Sequence, residues 1–363
     1  MDLKTPLYDS HVKANGKIVP FAGYLLPVQY ATGIISEHMA VRTNVGIFDV
    51  SHMAEFTLVG NDAMATVQKV VTNDCSDMTS GQVKYTCMCY ENGNVIDDLL
   101  VYKEDDTHIL LVLNASNRHK DAEWISKQVV GDTKFEDISD SVGQIALQGP
   151  NSLEVLKKLT DETLLPTKYY TFIKNCVVAG KTCLVSRTGY TGEFGYEIYC
   201  NSEDTVEIWD ALLEAGKDLN IIPCGLGSRD TLRFEAGMPL YGHEMDENTN
   251  PYEAGLGFCV KLAKEDFLGK AALEAAKPPK RKCVTLKVTG KGVVREHQDV
   301  YVGDEKIGVT ASGTFCPFLK APYATAIIKA EFIEIGAIVE VDVRGRRVEA
   351  EIVKGPIYDR PKQ

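Results

Sequence analysis

The chain has 363 residues, of which 44% are apolar, 8% aromatic and 25% charged, and its formal net charge is −12. This composition is typical of a globular protein and excludes a disordered or collagen-like chain, while the length predicts two or three domains with clefts at their junctions. The acidic balance disfavours nucleic acids and anionic membranes as partners, because both repel a negatively charged surface.

The start of the chain and its cysteines indicate a cellular location. The first residues, MDLKTPLYDSHVKANG, lack a basic start leading into an apolar run, and no later stretch approaches the ~18 apolar residues of a membrane span. Ten cysteines are scattered without a CxxC pair, so the spacings typical of zinc and redox sites are absent. We therefore expect a cytoplasmic protein with reduced packing thiols and no metal site.

Helix and strand patterns alternate through the first three quarters of the chain, which predicts an α+β fold. The segments HILLVL, at His108–Leu113, and KTCLVS, at Lys181–Ser186, are typical of strands. Apolar residues at helical spacing predict three core helices, the last of them ending at Gly216. The three sets are Met64, Val67 and Val71, then Leu153, Leu156 and Leu159, and then Val206, Trp209 and Leu213.

The last quarter of the chain differs in character. Two prolines in the basic stretch KPPK, at 277–280, end a helical run and indicate a linker. Beyond it, valines alternate with polar residues over 339–343, a turn follows at 344–346, and a second alternating run covers 348–352. This pattern predicts a hairpin within an all-β terminal domain.

Two carboxylates, Asp97 and Asp98, follow a glycine turn in the segment NGNVIDDLLVY. Side chains alternate along a strand, so the two should point in opposite directions, one toward water and one inward, and should not act as a coupled pair. The functional interpretation is a single carboxylate that accepts a proton or faces a cationic intermediate. The structural alternative is a turn aspartate that binds nearby backbone amides.

The segment SRTGYTGEFGYE follows a predicted strand but matches neither GxGxxG nor a GK[ST] phosphate loop. Its spaced glycines would let backbone approach a flat ligand, on which Tyr190 could stack. An inward Glu197 could accept two parallel hydrogen bonds from an aminopyrimidine edge. The alternative is an ordinary hairpin with glycine turns and a surface glutamate.

A third polar segment, GLGSRDTLRFEAG, predicts a short helix with Ser228 as its N-cap and Gly237 beyond its end. Arg229 then lies in the first turn, where the helix dipole disfavours a cation, so another group should hold it. A ligand carboxylate and an ion pair with Asp230 or Glu235 both remain open. His52 in DVSHM has no serine or cysteine nucleophile at a recognisable spacing, so a hydrolase triad finds no support.

Taken in order, these segments resemble the T-protein family of the glycine cleavage system, the tetrahydrofolate-dependent aminomethyltransferases. The landmarks that carry the resemblance span the whole chain and include VPFAGYLLPVQY, VRTNVGIFDVSHM, NGNVIDDLLVY, ALQGP, SRTGYTGEFGYE and GLGSRDTLRFEAGMPLYGHEMDENTNP. A set of such landmarks in one order is far more specific than any one of them.

The resemblance implies an α+β fold arranged as a three-domain cloverleaf with a central folate channel. Two interleaved α+β domains would comprise residues 1–51 with 141–243, which bind folate, and residues 52–140 with 244–279, which carry the catalytic aspartate. The third domain, residues 280–363, would be a C-terminal β barrel.

The family's functional residues fall on matching positions of this sequence. Asp98, the second acid of its pair, matches the essential aspartate. Contacts to the folate fall on Glu197, at the pterin edge, and on Arg229, Tyr190, Met53, Tyr85 and Asn114. A terminal basic residue, either Arg360 or Lys362, would reach the folate's glutamate.

The reaction that the resemblance implies needs neither a metal nor a bound redox cofactor. Tetrahydrofolate is the co-substrate and the lipoylated H-protein is the partner, whose aminomethyl carbon passes to folate with release of ammonia. A related folate-dependent demethylase and a non-catalytic folate-binding module for iron–sulfur assembly are the alternatives. The full IDDLL and DENTNP segments favour the aminomethyltransferase.

Overall fold

The structure is a computed structural model that describes residues 2–360. The chain forms two compact units. The first contains the residues up to Lys69, together with Cys75–Thr86 and Leu99–Leu232. The second contains Val70–Asp74, Cys87–Asp98 and the chain from Arg233 onward. Each unit is therefore built from segments that are distant in the sequence.

The elements are numbered in chain order. The α-helices are α1 Tyr8–Lys13, α2 Ile34–Thr43, α3 Ala63–Val70, α4 Arg118–Gln128, α5 Ser152–Leu156, α6 Thr205–Ala215, α7 Leu226–Glu235 and α8 Lys270–Ala275. The strands are β1 Leu3–Lys4, β2 Ile18–Phe21, β3 Tyr24–Pro27, β4 Val45–Asp49, β5 Ala54–Val59, β6 Gln82–Cys89, β7 Val95–Lys103, β8 His108–Leu113, β9 Lys134–Asp137, β10 Val142–Gln148, β11 Phe172–Val178, β12 Lys181–Ser186, β13 Gly195–Asn201, β14 Ile221–Pro223, β15 Arg281–Val288, β16 Asp299–Val302, β17 Glu305–Cys316, β18 Ala321–Lys329, β19 Ile338–Val343 and β20 Arg346–Val353.

A six-stranded sheet in the order β11-β12-β13-β10-β4-β14 is the centre of the first unit. Helices α5 and α6 contribute to an apolar cluster on this sheet, with Ile208, Trp209 and Leu212 among its members. These three residues lie on one face of α6, and the helix ends at Gly216 as predicted, but Val206 of the predicted stripe is exposed. Short strands β1, β3 and β2 form a separate three-stranded sheet.

A second sheet has the order β6-β7-β8-β5-β9. Its strand β8 is apolar almost throughout and buried from Ile109 to Leu113, which is typical of a strand covered on both faces. Between this sheet and the six-stranded one lies an apolar cluster that we call the inter-sheet layer. Its buried members are Val83, Tyr102, Leu110, Val112, Phe172, Leu184 and Tyr199.

The second unit contains a closed barrel in the order β15-β18-β17-β16-β19-β20. Valine, isoleucine and alanine side chains fill its interior. The predicted hairpin is present as β19 and β20, and its two-residue turn, Arg344–Gly345, has positive φ at both positions, as hairpin turns of this length favour. The α+β class and the C-terminal β barrel are therefore confirmed, whereas the three predicted domain boundaries remain a prediction.

Some sequence expectations on helix ends were wrong. Helix α3 ends at Val70 and α5 at Leu156, so Val71 and Leu159 lie beyond them. Val71 instead forms an isolated bridge with Met88. All ten cysteines are free, and nine of them are buried. None of the helices within residues 2–360 combines the length and apolar character needed to cross a bilayer.

Candidate functional site

Glu197 is a buried carboxyl on a central strand. Its strand, β13, pairs with β12 and β10, where Ser186 and Ala146 lie opposite Glu197. The hydroxyl of Thr188 donates to Oε2, and the amide of Gln144 donates to Oε1 at 3.2 Å. Burial raises the pKa of Glu197, while Thr188, the positive charge of a nearby arginine and Gln144 oppose that rise. The carboxyl group is thus buried, and the hydrogen bonds that it accepts stabilise its charged form.

A polar network continues from Glu197 toward the inter-sheet layer. The amide nitrogen of Gln144 also donates to the hydroxyl of Tyr199 at 3.0 Å, and that hydroxyl lies 2.9 Å from the hydroxyl of Tyr102. The amide oxygen of Gln144 is buried without a hydrogen-bond partner. Sequence reasoning missed Gln144 and Tyr199, although a glutamine inside the apolar strand VGQIALQ was a usable signal.

Arg229 is the arginine that acts on Glu197, and its guanidinium carbon lies 4.8 Å from the ring centre of Tyr190. Burial lowers the pKa of His52 to about 4, and the positive charge of Arg229 contributes to that shift. This histidine is therefore neutral at physiological pH. The structure therefore brings Glu197, Arg229 and Tyr190 together from two separate motifs of the first unit. A cation over an aromatic ring beside a buried carboxylate suits a flat, polar-edged ligand.

Arg42 connects the loop that carries Tyr190 with helix α7, which carries Arg229. Its guanidinium donates to the carbonyl of Thr191 at 2.7 Å, to the carboxylate of Glu193 at 3.2 Å and to the carbonyl of Leu232 at 3.3 Å. Thr191 and Glu193 belong to the loop that carries Tyr190, and Leu232 lies one turn beyond Arg229 on α7. The side chain of Arg42 is fully buried. Arg42 therefore fixes the loop against the helix.

The start of helix α7 differs from the sequence prediction. The helix begins at Leu226, so Ser228 lies inside it and is not its N-cap. The carboxylate of Glu37 performs the capping instead, accepting hydrogen bonds from the amide of Gly225 at 2.9 Å and from the hydroxyl of Ser228 at 3.0 Å. A carboxylate at this end suits both the open amides and the helix dipole.

Two glycines of the Tyr190 loop, Gly189 and Gly195, are required by one neighbouring side chain. The amide of Gln148 donates to the carbonyl of Thr188 at 3.2 Å, and its oxygen accepts from Thr191 at 2.8 Å. A Cβ added at Gly189 or Gly195 would lie 2.1 or 2.3 Å from this amide. The structure shows that these two glycines make room for Gln148, while their role in the approach of a ligand stays a prediction.

The loop that carries His52 and Met53 is anchored through Asp49 at the end of β4. The carboxylate of Asp49 accepts hydrogen bonds from Thr5 at 2.6 Å and from the amide of Ser51 at 2.9 Å, and lies 2.8 Å from the ring nitrogen of His11. Met53 is half-buried and packs against the inter-sheet layer. Three contacts on one carboxylate thus set the position of the loop.

Asp49 should make the stability of the protein depend on acidity. Burial alone would raise its pKa, but the contacts with His11, Thr5 and Ser51 outweigh burial and hold the pKa below its ordinary value. A lowered pKa stabilises the fold above the unfolded value and loses that contribution as the pH falls through the folded value. We expect Asp49→Asn to flatten the acid limb of a stability profile measured by urea unfolding. The exposed Asp210→Asn should leave that limb unchanged, and an unaltered limb in Asp49→Asn would contradict this assignment.

Asp98 belongs to the second unit. It is half-buried, whereas its neighbour Asp97 is fully buried, so the two acids differ in exposure as alternation along a strand predicts, and the more exposed one is only partly open to solvent. The negative charge of Asp98 acts on the thiols of Cys87 and Cys259, whose sulfurs are 3.6 Å apart.

Two further predicted contacts, Tyr85 and Asn114, are half-buried residues of the first unit. Tyr85 lies on β6, and Asn114 follows the last residue of β8. Arg360 is described by the structure, and Lys362 lies outside the described residues. Within residues 2–360, no group of three or more histidine, cysteine, aspartate or glutamate side chains could hold a metal ion. The assignment of all these residues to ligand binding stays a prediction.

Family models, related sequences and a solved structure all match this chain to the same family of proteins. Residues 7–264 match the family model of the GCVT N-terminal domain, and residues 281–359 match that of the glycine cleavage T-protein C-terminal barrel domain. Proteins named aminomethyltransferase from Bacillus cytotoxicus and from a Geobacillus species are 49% and 47% identical, each over 99% of both chains. The crystal structure of glycine cleavage system aminomethyltransferase T from Bartonella henselae matches with a TM-score of 0.92 and 28% identity, again over 99% of both chains.

Proposed function

Since this chain belongs to the aminomethyltransferase family of glycine cleavage T-proteins, we propose that it transfers an aminomethyl carbon from the lipoyl arm of H-protein to tetrahydrofolate. The products are 5,10-methylenetetrahydrofolate, ammonia and dihydrolipoyl H-protein. The observation that carries the folate assignment is the Glu197 carboxylate with Arg229 and Tyr190 beside it. We place the activity in the cytoplasm, because ten free cysteines suit a reducing compartment.

The residues of the first unit fit a reduced pterin. The pyrimidine edge of a pterin offers two adjacent N–H donors, which match the two oxygens of one carboxylate. Glu197 has that carboxylate, and the unpartnered amide oxygen of Gln144 offers a further acceptor. The ring of Tyr190, beneath the cation of Arg229, offers a flat face. Charge-assisted hydrogen bonds of this kind contribute roughly 1.5–3 kcal/mol each, which is enough to orient a heterocycle.

Asp98 is the acid to which we assign the chemical step. Departure of the lipoyl sulfur leaves positive charge on the transferred carbon, and a carboxylate lowers the energy of that charge. The carboxylate also takes part in moving the proton of the attacking nitrogen. A half-buried carboxyl suits this role better than the fully buried Asp97, because it must meet a substrate. Binding and orientation of both substrates supply the larger part of the rate enhancement.

Loss of the Glu197 carboxylate should weaken folate binding. We expect Glu197→Ala to raise the dissociation constant of tetrahydrofolate by about a hundredfold or more, since two charge-assisted hydrogen bonds are lost. Calorimetric titration measures this directly. The exposed Glu207→Ala on α6 is the matched control and should bind as the wild type does. Wild-type affinity in Glu197→Ala would remove this residue from the binding site.

The proposed reaction is tested by production of methylenetetrahydrofolate from aminomethylated H-protein. Formation of this product from aminomethylated H-protein, but not from H-protein without the aminomethyl group, supports the transfer. Ammonia release at the wild-type rate without folate would contradict it. Folate binding without turnover would instead identify a non-catalytic module, and turnover of a methylated amine donor a demethylase.

A further inference from the structure

Glu55 is a buried acid that the proposed reaction does not use. It is the second residue of β5, and its cross-strand neighbour on β8 is Val112. Directly opposite residues of paired strands share one face of the sheet. Because Val112 is a member of the inter-sheet layer, the side chain of Glu55 enters the same apolar layer.

The surroundings of Glu55 favour its neutral form. The residue is 0% exposed, and neither carboxyl oxygen has a hydrogen-bond partner. An ionised carboxylate without a partner in an apolar layer costs far more free energy than the neutral acid, so such a group keeps its proton. Burial accordingly raises the pKa of Glu55 well above its ordinary value.

The one cation that acts on Glu55 is engaged elsewhere. Arg118, at the start of α4, donates to Asp137 at 2.7 Å and to Asp140 at 2.7 Å. Asp137, at the end of β9, is negatively charged and adds to the rise in the pKa of Glu55. The remaining titratable groups that interact with Glu55 are Tyr24 of β3 and the β13 residues Tyr199 and Glu197. None of these three groups is a cation that could stabilise an ionised Glu55.

Glu55 and Glu197 therefore differ sharply in their ability to hold charge. Glu197 accepts hydrogen bonds from Thr188 and Gln144 and lies within the field of Arg229. Glu55 has no such donor and is disfavoured as an anion by the charge of Glu197. Two neighbouring carboxyl groups in a region without water cannot both ionise without a large cost in free energy. The negative charge therefore stays on the carboxyl that accepts hydrogen bonds, which is Glu197.

We propose that Glu55 keeps its proton in the inter-sheet layer, so that Glu55 and Glu197 together carry one negative charge, which Glu197 holds. A second negative charge, on Glu55, would repel the charge on Glu197 and so destabilise the carboxylate that we propose binds the pterin edge. This consequence for ligand binding rests on the proposed function, whereas the protonation of Glu55 does not.

The pH dependence of folding separates this role from simple packing. In the unfolded chain Glu55 loses its proton at the ordinary pKa of a glutamate, whereas the folded protein keeps it to a higher pH. The folded state thus binds one more proton in this window, and stability falls as the pH rises through it. The folding equilibrium constant should fall by up to about tenfold per pH unit on this account.

The experiment compares the wild type with Glu55→Gln, a neutral isostere of the protonated acid. Carboxyl-carbon NMR of protein labelled at glutamate should show a resonance that is absent in Glu55→Gln and stays at the protonated position through neutral pH. Urea unfolding from about pH 5 to about pH 8 should show a shallower loss of stability with rising pH in Glu55→Gln than in the wild type, because only the Glu55 contribution is removed. The exposed Glu136→Gln, on the neighbouring strand β9, should behave as the wild type does.

Binding completes the test. Glu55→Gln should bind tetrahydrofolate within about twofold of the wild type at neutral pH, since the charge on Glu197 is unchanged. A Glu55 resonance that titrates in the ordinary acidic range would overturn the proposal, as would an identical pH slope in Glu55→Gln. Should that variant fail to fold, the wild-type resonance can be assigned with Glu55→Leu. Absence of folate binding in the wild type, together with a protonated Glu55, would reject the proposed function and leave the Glu55 assignment intact.

Discussion

Replacing Asp98 with asparagine is expected to lower turnover at least a hundredfold while tetrahydrofolate affinity changes by less than about threefold. The side chain keeps its size and loses only its charge, so the loss reports electrostatic stabilisation. A unit charge about 4 Å away at an effective dielectric near 20 contributes on the order of 4 kcal/mol, or roughly three decades in rate. Methylenetetrahydrofolate formation from aminomethylated H-protein measures the effect.

The control for this prediction is Glu91→Gln, an exposed acid in the turn that precedes β7. Its turnover should equal that of the wild type. Unaltered turnover in Asp98→Asn would remove Asp98 from the chemical step. A variant that loses turnover and folate affinity together would indicate a binding role in place of the proposed catalytic one.

Arg42→Ala should destabilise the fold by about 3–5 kcal/mol, because it removes a fully buried cation from its carboxylate partner. The change also deprives the carbonyls of Thr191 and Leu232 of their donor. Such a loss is a large fraction of the roughly 5–15 kcal/mol that stabilises a typical protein. Urea unfolding followed by circular dichroism measures it. Tetrahydrofolate should bind more weakly as well, because the loop of Tyr190 is released from α7.

A double-mutant comparison isolates the Arg42 interaction. Replacing Arg42 and Glu193 together with leucine removes both buried charges, and the double variant should be more stable than Arg42→Ala. The exposed Lys127→Ala on α4 should cost less than about 0.5 kcal/mol. A loss below about 1 kcal/mol in Arg42→Ala would show that the loop and helix hold their positions without this side chain.

The parts of the fold that local pattern dictates were predictable. Helix α6 and the hairpin β19–β20 each follow from an apolar period that matches their structure, and each ends at a glycine-containing turn. The end of α3 was not predictable in this way, since Val71 fits the helical stripe but pairs with Met88 instead. Tertiary pairing overrode local periodicity there.

The residues of the candidate site likewise divide into those that a local motif marks and those that only a long-range contact connects. Glu197, Arg229 and Tyr190 lie in glycine-rich motifs whose composition marks them in the sequence. Arg42 and Gln144 lie 149 and 53 positions from the residues they hold, so no window of sequence connects them. The N-cap assigned to Ser228 failed for a related reason, because a carboxylate from α2 occupies that role. Long-range polar contacts are the part of the site that sequence reasoning could not supply.

The amide of Gln148 sets the shape of the Tyr190 loop from a strand of the central sheet, and this has a practical consequence for redesign. An engineer who wishes to tilt the aromatic ring should edit β10 before the loop itself. Alanine at Gly189 or Gly195 becomes sterically tolerable only after the glutamine is shortened. These three positions should therefore be varied together, because a side chain at either glycine must displace the buried amide of Gln148.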